Sequence, residues 1–89
     1  MSRLIPAAER IVKARALIQK ARNLPIPAEF GRRNLSYIAE VKDLMRQARD
    51  LVKFIPYSVS TTSEMKTEVA AVNLEADQTE RELLHPKIS

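Results

Sequence analysis

The sequence lacks cysteine and tryptophan, and it contains one glycine, one histidine, two tyrosines and two phenylalanines in 89 residues. Without cysteine there is no disulfide framework and no thiolate nucleophile, which favours the cytosol, nucleus or mitochondrion over secretion. His85 alone does not make a transition-metal site. A single glycine also rules out a glycine-rich phosphate loop. We therefore expect no catalytic residues, no cofactor and no metal.

Long apolar runs are also missing. No run approaches the roughly 18–20 residues that span a bilayer, and no secretory signal is visible, so we expect an intracellular protein. Abundant Ala, Leu, Glu, Lys and Arg favour helices over strands. The chain length predicts one domain over 1–89. A chain this short buries about 60–65% of its unfolded surface and is often stabilised by a partner.

The stretch 35–55 has the most regular helical pattern in the chain. Asn34 is a suitable N-cap, and Pro56 ends the pattern because the residue before proline resists helical geometry. We therefore predict a helix over 34–55 whose broad apolar face packs against two neighbours. Three rows form that face: Tyr37, Leu44 and Leu51; Val41, Ala48 and Ile55; and Ile38, Met45 and Val52.

Two further helices are predicted over 6–23 and 61–84, followed by a loose tail at 85–89. Each carries one thin apolar stripe with spacings of three and four. Thr61 and Glu64 match a capping box at the start of the last helix. The stripes are Leu4, Ala7, Ile11, Ala14, Ile18 and Ala21 in the first helix, and Met65, Val69, Val72, Ala76, Thr79 and Leu83 in the last.

The fold class that follows is all-α, an antiparallel up-down-up bundle of three helices. Residues 3–24 carry a net charge of +5 and residues 61–84 a net charge of −4, so the basic first helix is expected to face the acidic third. A helical hairpin completed by oligomerisation is the alternative. The predicted core consists of Ile11, Ile18, Val41, Leu44, Ala48, Leu51, Ile55, Met65, Val69, Val72 and Leu83.

Aromatic and apolar residues in the two connections have two interpretations. Ile26 and Phe30 are expected to close one end of the bundle, and a polyproline-type docking motif is the alternative. Phe54 and Tyr57 are expected to fold over the other end. If they are exposed instead, they are the best candidates for a binding hot spot.

The predicted function is that of a non-enzymatic interaction module, a small adaptor or assembly subunit. It would bind another protein or a second copy of itself through helix–helix contacts. The prediction rests on apolar side chains that lie beyond one stripe per helix, together with the aromatic pair. The candidate interface residues are Leu17, Leu24, Ile38, Val52, Phe54, Tyr57 and Leu74.

A peripheral membrane protein, with a mitochondrial location as one option, is the competing prediction. Its basis is the first helix, which is cationic and amphipathic and would lie on an anionic membrane surface. Nucleic acid is not an expected partner, because no aromatics interleave with the cations and the acidic third helix would repel phosphates. The candidate membrane or phosphate contacts are Arg10, Lys13, Lys20, Arg32 and Arg33.

Overall fold

The computed structural model describes residues 6–84, and three α-helices make up most of this part of the chain. All three helices pack against one another, which confirms the predicted all-α three-helix bundle. No β-strand occurs between residues 6 and 84. The helices are α1 (Ala7–Arg22), α2 (Leu35–Val52) and α3 (Ser63–Leu84), and short 3-10 turns follow at Gly31–Arg33 and Ile55–Tyr57 in the two connections.

The directions of the helices follow from contacts between them. Arg15 of α1 contacts Glu68 and Glu75 of α3, and Arg22, one heptad later, contacts Glu82. The residue numbers of the contacting partners increase together along both helices, so α1 and α3 run parallel. Short connections at its two ends reverse the chain into and out of α2, which makes the order up-down-up.

One continuous apolar core lies between the three helices, and the predicted stripes form most of it. Leu51 and Met65, which we predicted as core, are half-buried and pack against its edge. The broad face of α2 contributes six buried residues, more than either neighbour, because its apolar residues form three adjacent rows where the other helices have one stripe. The buried residues of α1 and α3 are Ile11, Ala14, Ile18, Ala21, Val69, Val72, Ala76, Thr79 and Leu83.

The predicted cap of α2 is confirmed, but the helix ends earlier than expected. The Asn34 side chain accepts a hydrogen bond from the backbone N–H of Tyr37 at 3.1 Å. The helix stops at Val52, three residues before the predicted end. Pro56 explains the difference, because it has no N–H to donate to the Val52 carbonyl, and the chain continues as the 3-10 turn Ile55–Tyr57.

The capping box predicted for α3 is wrong by one residue. Thr62 is the cap, since its Oγ1 accepts a hydrogen bond from the backbone N–H of Met65 at 3.1 Å. Thr61 instead donates its hydroxyl to the carbonyl oxygen of Ile55. This hydrogen bond links the preceding connection to the start of α3.

The ends of the described region contain two further predictions. Pro6, the predicted first residue of α1, occupies the cap position of that helix. Leu4 and the predicted tail 85–89 lie outside the described residues.

Candidate protein-binding surfaces

The opposite charges of α1 and α3 meet, as their sequences predicted. Arg15 lies 3.6 Å from carboxylate oxygens of both Glu68 and Glu75, and Arg22 lies 2.7 Å from Glu82. These side chains are partly exposed, so each pair contributes at most about 1 kcal/mol. Their main effect is on specificity, because they favour α1 beside α3 in this register.

A second set of ion pairs links α2 to α3. Arg49 contacts Asp77 at 2.6 Å and Glu80 at 3.3 Å. The acidic residues in the second half of α3 therefore have basic partners on both neighbouring helices. This contact compensates for the acidic end of α3, where carboxylates oppose the helix dipole.

The connection between α2 and α3 exposes two aromatic rings. Phe54 is 70% exposed and Tyr57 is 83% exposed, so the prediction that they cover the bundle end is wrong. Ile55, which lies between them in the sequence, is the residue of this connection that joins the core, with 6% exposure. Val59, two residues beyond Tyr57, is also fully exposed. We call Phe54, Tyr57 and Val59 the aromatic corner.

Beside the aromatic corner lies a cleft of about 500 Å³. Its size is within the range of sites that accept small ligands or partner side chains. The Arg10 guanidinium donates to the carbonyl oxygen of Leu51 at 3.5 Å and supplies the positive charge in this lining. The lining combines apolar side chains with three hydroxyl groups: Ala7, Arg10, Leu51, Phe54, Ile55, Ser58, Ser60, Thr61 and Met65.

The other predicted interface residues are not part of this corner. Val52 is 0% exposed and belongs to the core, because α2 buries its third row as well as the first two. Leu17 and Leu24 are half-buried and pack against the core, and Ile38 is also half-buried. Leu74 is exposed on α3, far along the helix from its start at the corner.

Three further exposed apolar residues lie at the opposite end of α2, and sequence reasoning missed one of them, Leu35. Phe30 is 75% exposed and Leu35 is 82% exposed, and Ile26 is half-exposed. The prediction that Ile26 and Phe30 close this end of the bundle is therefore wrong. The helical pattern did carry a signal for Leu35, which falls outside the three apolar rows of α2. We call Ile26, Phe30 and Leu35 the loop patch.

The predicted membrane or phosphate contacts do not form one surface. Arg10 lies at the start of α1 against the end of α2, whereas Arg32 and Arg33 lie in the connection at the opposite end of α2. Arg32 donates to the backbone carbonyl oxygen of Glu82 at 3.4 Å. Lys13 and Lys20 are exposed along α1 between these ends. The cations are therefore spread along the bundle.

The apolar stripe of α1 is also inaccessible in the bundle. Ile11, Ala14, Ile18 and Ala21 are all buried against α2 and α3. A membrane could contact this stripe only if α1 left the bundle. Between residues 6 and 84, no helix combines the length and apolar character needed to cross a bilayer.

Between residues 6 and 84, no three His, Cys, Asp or Glu side chains come together as a possible metal site. Hydrogen bonds from Arg46 and Gln47 hold the pKa of Asp43 below its usual value, but all three lie on the exposed face of α2. This arrangement is a surface network along one helix.

Comparisons of the chain with models of protein families, with curated proteins and with solved structures found no match. Its function is therefore inferred from its own surfaces.

Proposed function

We propose that the chain is a non-enzymatic helical interaction module, which binds another protein through the aromatic corner. The observation that supports this proposal is the exposure of Phe54 and Tyr57 beside a cleft with an apolar floor. Aromatic side chains are enriched among the residues that dominate binding energy, especially where they border a pocket that a partner can fill.

Hydrogen bonds also restrain the backbone of the corner. The backbone N–H of Tyr57 donates to the Phe54 carbonyl, and that of Ser58 donates to the Ile55 carbonyl, both at 3.2 Å. The Thr61 hydroxyl donates to the same Ile55 carbonyl. Because a restrained backbone loses less conformational entropy on association, these bonds favour binding.

The partner surface that best suits the corner is an amphipathic helix. One apolar side chain of such a helix would enter the cleft, while its neighbours would pack on the rings of Phe54 and Tyr57. Because the corner lies in a connection, the partner helix would contact a turn between two helix ends, and not a helix face as the sequence predicted. The partner is either a different protein or a second copy of this chain. An intracellular location belongs to the same proposal and rests on the absence of cysteine.

The test is a quantitative affinity purification from native cells, with bound proteins identified by mass spectrometry. The bait is the whole chain, compared with a Phe54→Ala, Tyr57→Ala double variant and with Val12→Ala as the matched control. Val12 is an exposed apolar residue on α1, away from the corner. We expect specific partners to be lost from the double variant and retained by the control.

Purified partner and bait would then be titrated by calorimetry, and light scattering of the bait would detect self-association. Loss of two hot-spot rings should weaken binding at least about tenfold. Equal recovery of every partner by the wild type and the double variant, with an unchanged oligomeric mass, would refute the corner as the binding surface.

A further inference from the structure

The loop patch lies about one helix length from the aromatic corner, because α2 separates the two connections. We infer that the loop patch is a second docking surface, for a protein segment that combines apolar side chains with carboxylates. This inference goes beyond the proposed function, since it concerns a different surface and specifies the chemistry of its partner. It does not require the aromatic corner to bind anything.

Phe30 has a backbone conformation that is unusual for its residue type. Its φ is +62°, in the left-handed region, where a side chain crowds the following carbonyl. The ring is 75% exposed, so core packing does not explain why an aromatic residue occupies this position. Unfavourable backbone geometry of this kind concentrates at ligand-binding sites, where the surrounding structure maintains it.

Hydrogen bonds around Phe30 maintain this geometry. The Asn34 side chain accepts from the Tyr37 N–H at 3.1 Å and donates to the Glu29 carbonyl at 3.2 Å. The Arg33 N–H donates to the Phe30 carbonyl at 3.0 Å. Phe30 is therefore presented outward by a loop that is tied to the first turn of α2.

The charges beside the patch determine which partner fits. Arg32 and Arg33 follow Phe30 by two and three residues, and the acid in this connection is Glu29. The Arg33 side chain is exposed and forms no ion pair within residues 6–84. A guanidinium group binds a carboxylate through paired hydrogen bonds, so an acidic residue flanking apolar side chains complements this surface.

An anionic membrane fits this surface less well. Lipid-binding basic clusters typically contain about four to eight Lys or Arg residues. The connection offers Arg32 and Arg33, with Glu29 opposing them. A protein segment with one or two carboxylates matches this charge better than an extended anionic surface.

The test selects peptides from a displayed library of random sequences, with the whole chain as the target. Selected peptides are then labelled, and their binding is measured by fluorescence anisotropy. We expect them to combine Phe, Leu or Ile with Asp or Glu. Phe30→Asn and Arg33→Gln should each weaken binding, the former by at least about tenfold because it removes the central ring.

The Phe30→Asn variant separates binding from folding. Asn tolerates the left-handed conformation better than Phe, so the melting temperature should stay the same or rise. Tyr57→Ala, on the aromatic corner, is the matched control and should leave binding of these peptides unchanged. Retained stability with lost binding in Phe30→Asn would support the inference.

Three outcomes would overturn the inference. The first is a selection that yields no peptides of this composition. The second is peptide binding that survives Phe30→Asn; if that binding is lost in Tyr57→Ala, the peptides bind the aromatic corner and support the proposed function alone. The third is binding to phosphatidylcholine–phosphatidylserine vesicles that is lost in Phe30→Asn, which would identify a membrane surface instead.

Discussion

The side-chain amide of Asn34 donates a hydrogen bond to the backbone carbonyl of Glu29 at 3.2 Å. The same side chain caps α2 by accepting the N–H of Tyr37. One residue therefore connects the start of the middle helix with the loop that presents Phe30. This double role goes beyond the cap that the sequence predicted.

The two functions of Asn34 can be separated by substitution. Asn34→Ala removes both hydrogen bonds and should lower the free energy of unfolding by about 0.5–2 kcal/mol. Asn34→Asp keeps an oxygen that caps Tyr37 but has no N–H for Glu29, so it should retain most of the stability. Urea denaturation measures both effects. Equal losses in the two variants would show that the cap contributes nothing measurable.

Core and surface positions on α2 should respond differently to the same substitution. Leu44 is buried, and Leu44→Ala should destabilise the bundle by roughly 2–5 kcal/mol through lost burial and an unfilled cavity. Leu35, on the same helix, is largely exposed, and Leu35→Ala should change stability by no more than about 0.5 kcal/mol. Thermal and urea unfolding of both variants would check this contrast. An unchanged melting temperature in Leu44→Ala would contradict the core assignment.

Thr79 offers a stabilising substitution. Its hydroxyl is fully buried in α3 and has no hydrogen-bond partner among the described residues. Thr79→Val keeps the shape of the side chain and replaces the hydroxyl with a methyl group, which should raise the free energy of unfolding by about 1 kcal/mol. Thr79→Ser, which keeps the hydroxyl, is the control and should not stabilise. A less stable Val variant would indicate that the hydroxyl is satisfied in solution.

Membrane binding through α1 can be tested by flotation with anionic liposomes at low salt. The whole chain should remain unbound, because the apolar stripe of α1 is buried in the bundle. A synthetic peptide covering residues 6–23 presents the same stripe without its bundle partners, and it should bind more strongly. Flotation of the whole chain to the same extent as the peptide would mean that α1 leaves the bundle on a membrane.

The sequence was most informative about which residues are buried in segments that have a helical period. The stripes of α1 and α3 were correct nearly residue by residue, because a period of 3.6 determines which positions share a face. The assignment of Val52 to an interface was wrong because periodicity does not say how wide a face the neighbouring helices cover. On α2 the covered face is wide enough that residues from all three rows contribute to the core.

The candidate surfaces lie mainly in the connections between helices, where the sequence has no periodic pattern from which burial can be predicted. The sequence offered both a capping role and an exposed contact for Phe54 and Tyr57, and only the structure shows that Ile55 is buried while its aromatic neighbours are exposed. Phe30 was expected to cover the bundle, and its outward position follows from a left-handed backbone tied to Asn34. Apolar composition alone does not distinguish a ring that closes a core from one that faces solvent.

By itself, the sequence determined three helices, their buried stripes, the cap at Asn34 and the pairing of a basic with an acidic helix. These features depend on local spacing and on the sign of charge, which the chain carries without any tertiary contact. Only the tertiary structure decided which apolar residues remain outside the core. That choice depends on packing in three dimensions, because the volume between close-packed helices is limited; Ile55 lies within it, and Phe54, Tyr57 and Phe30 lie outside it.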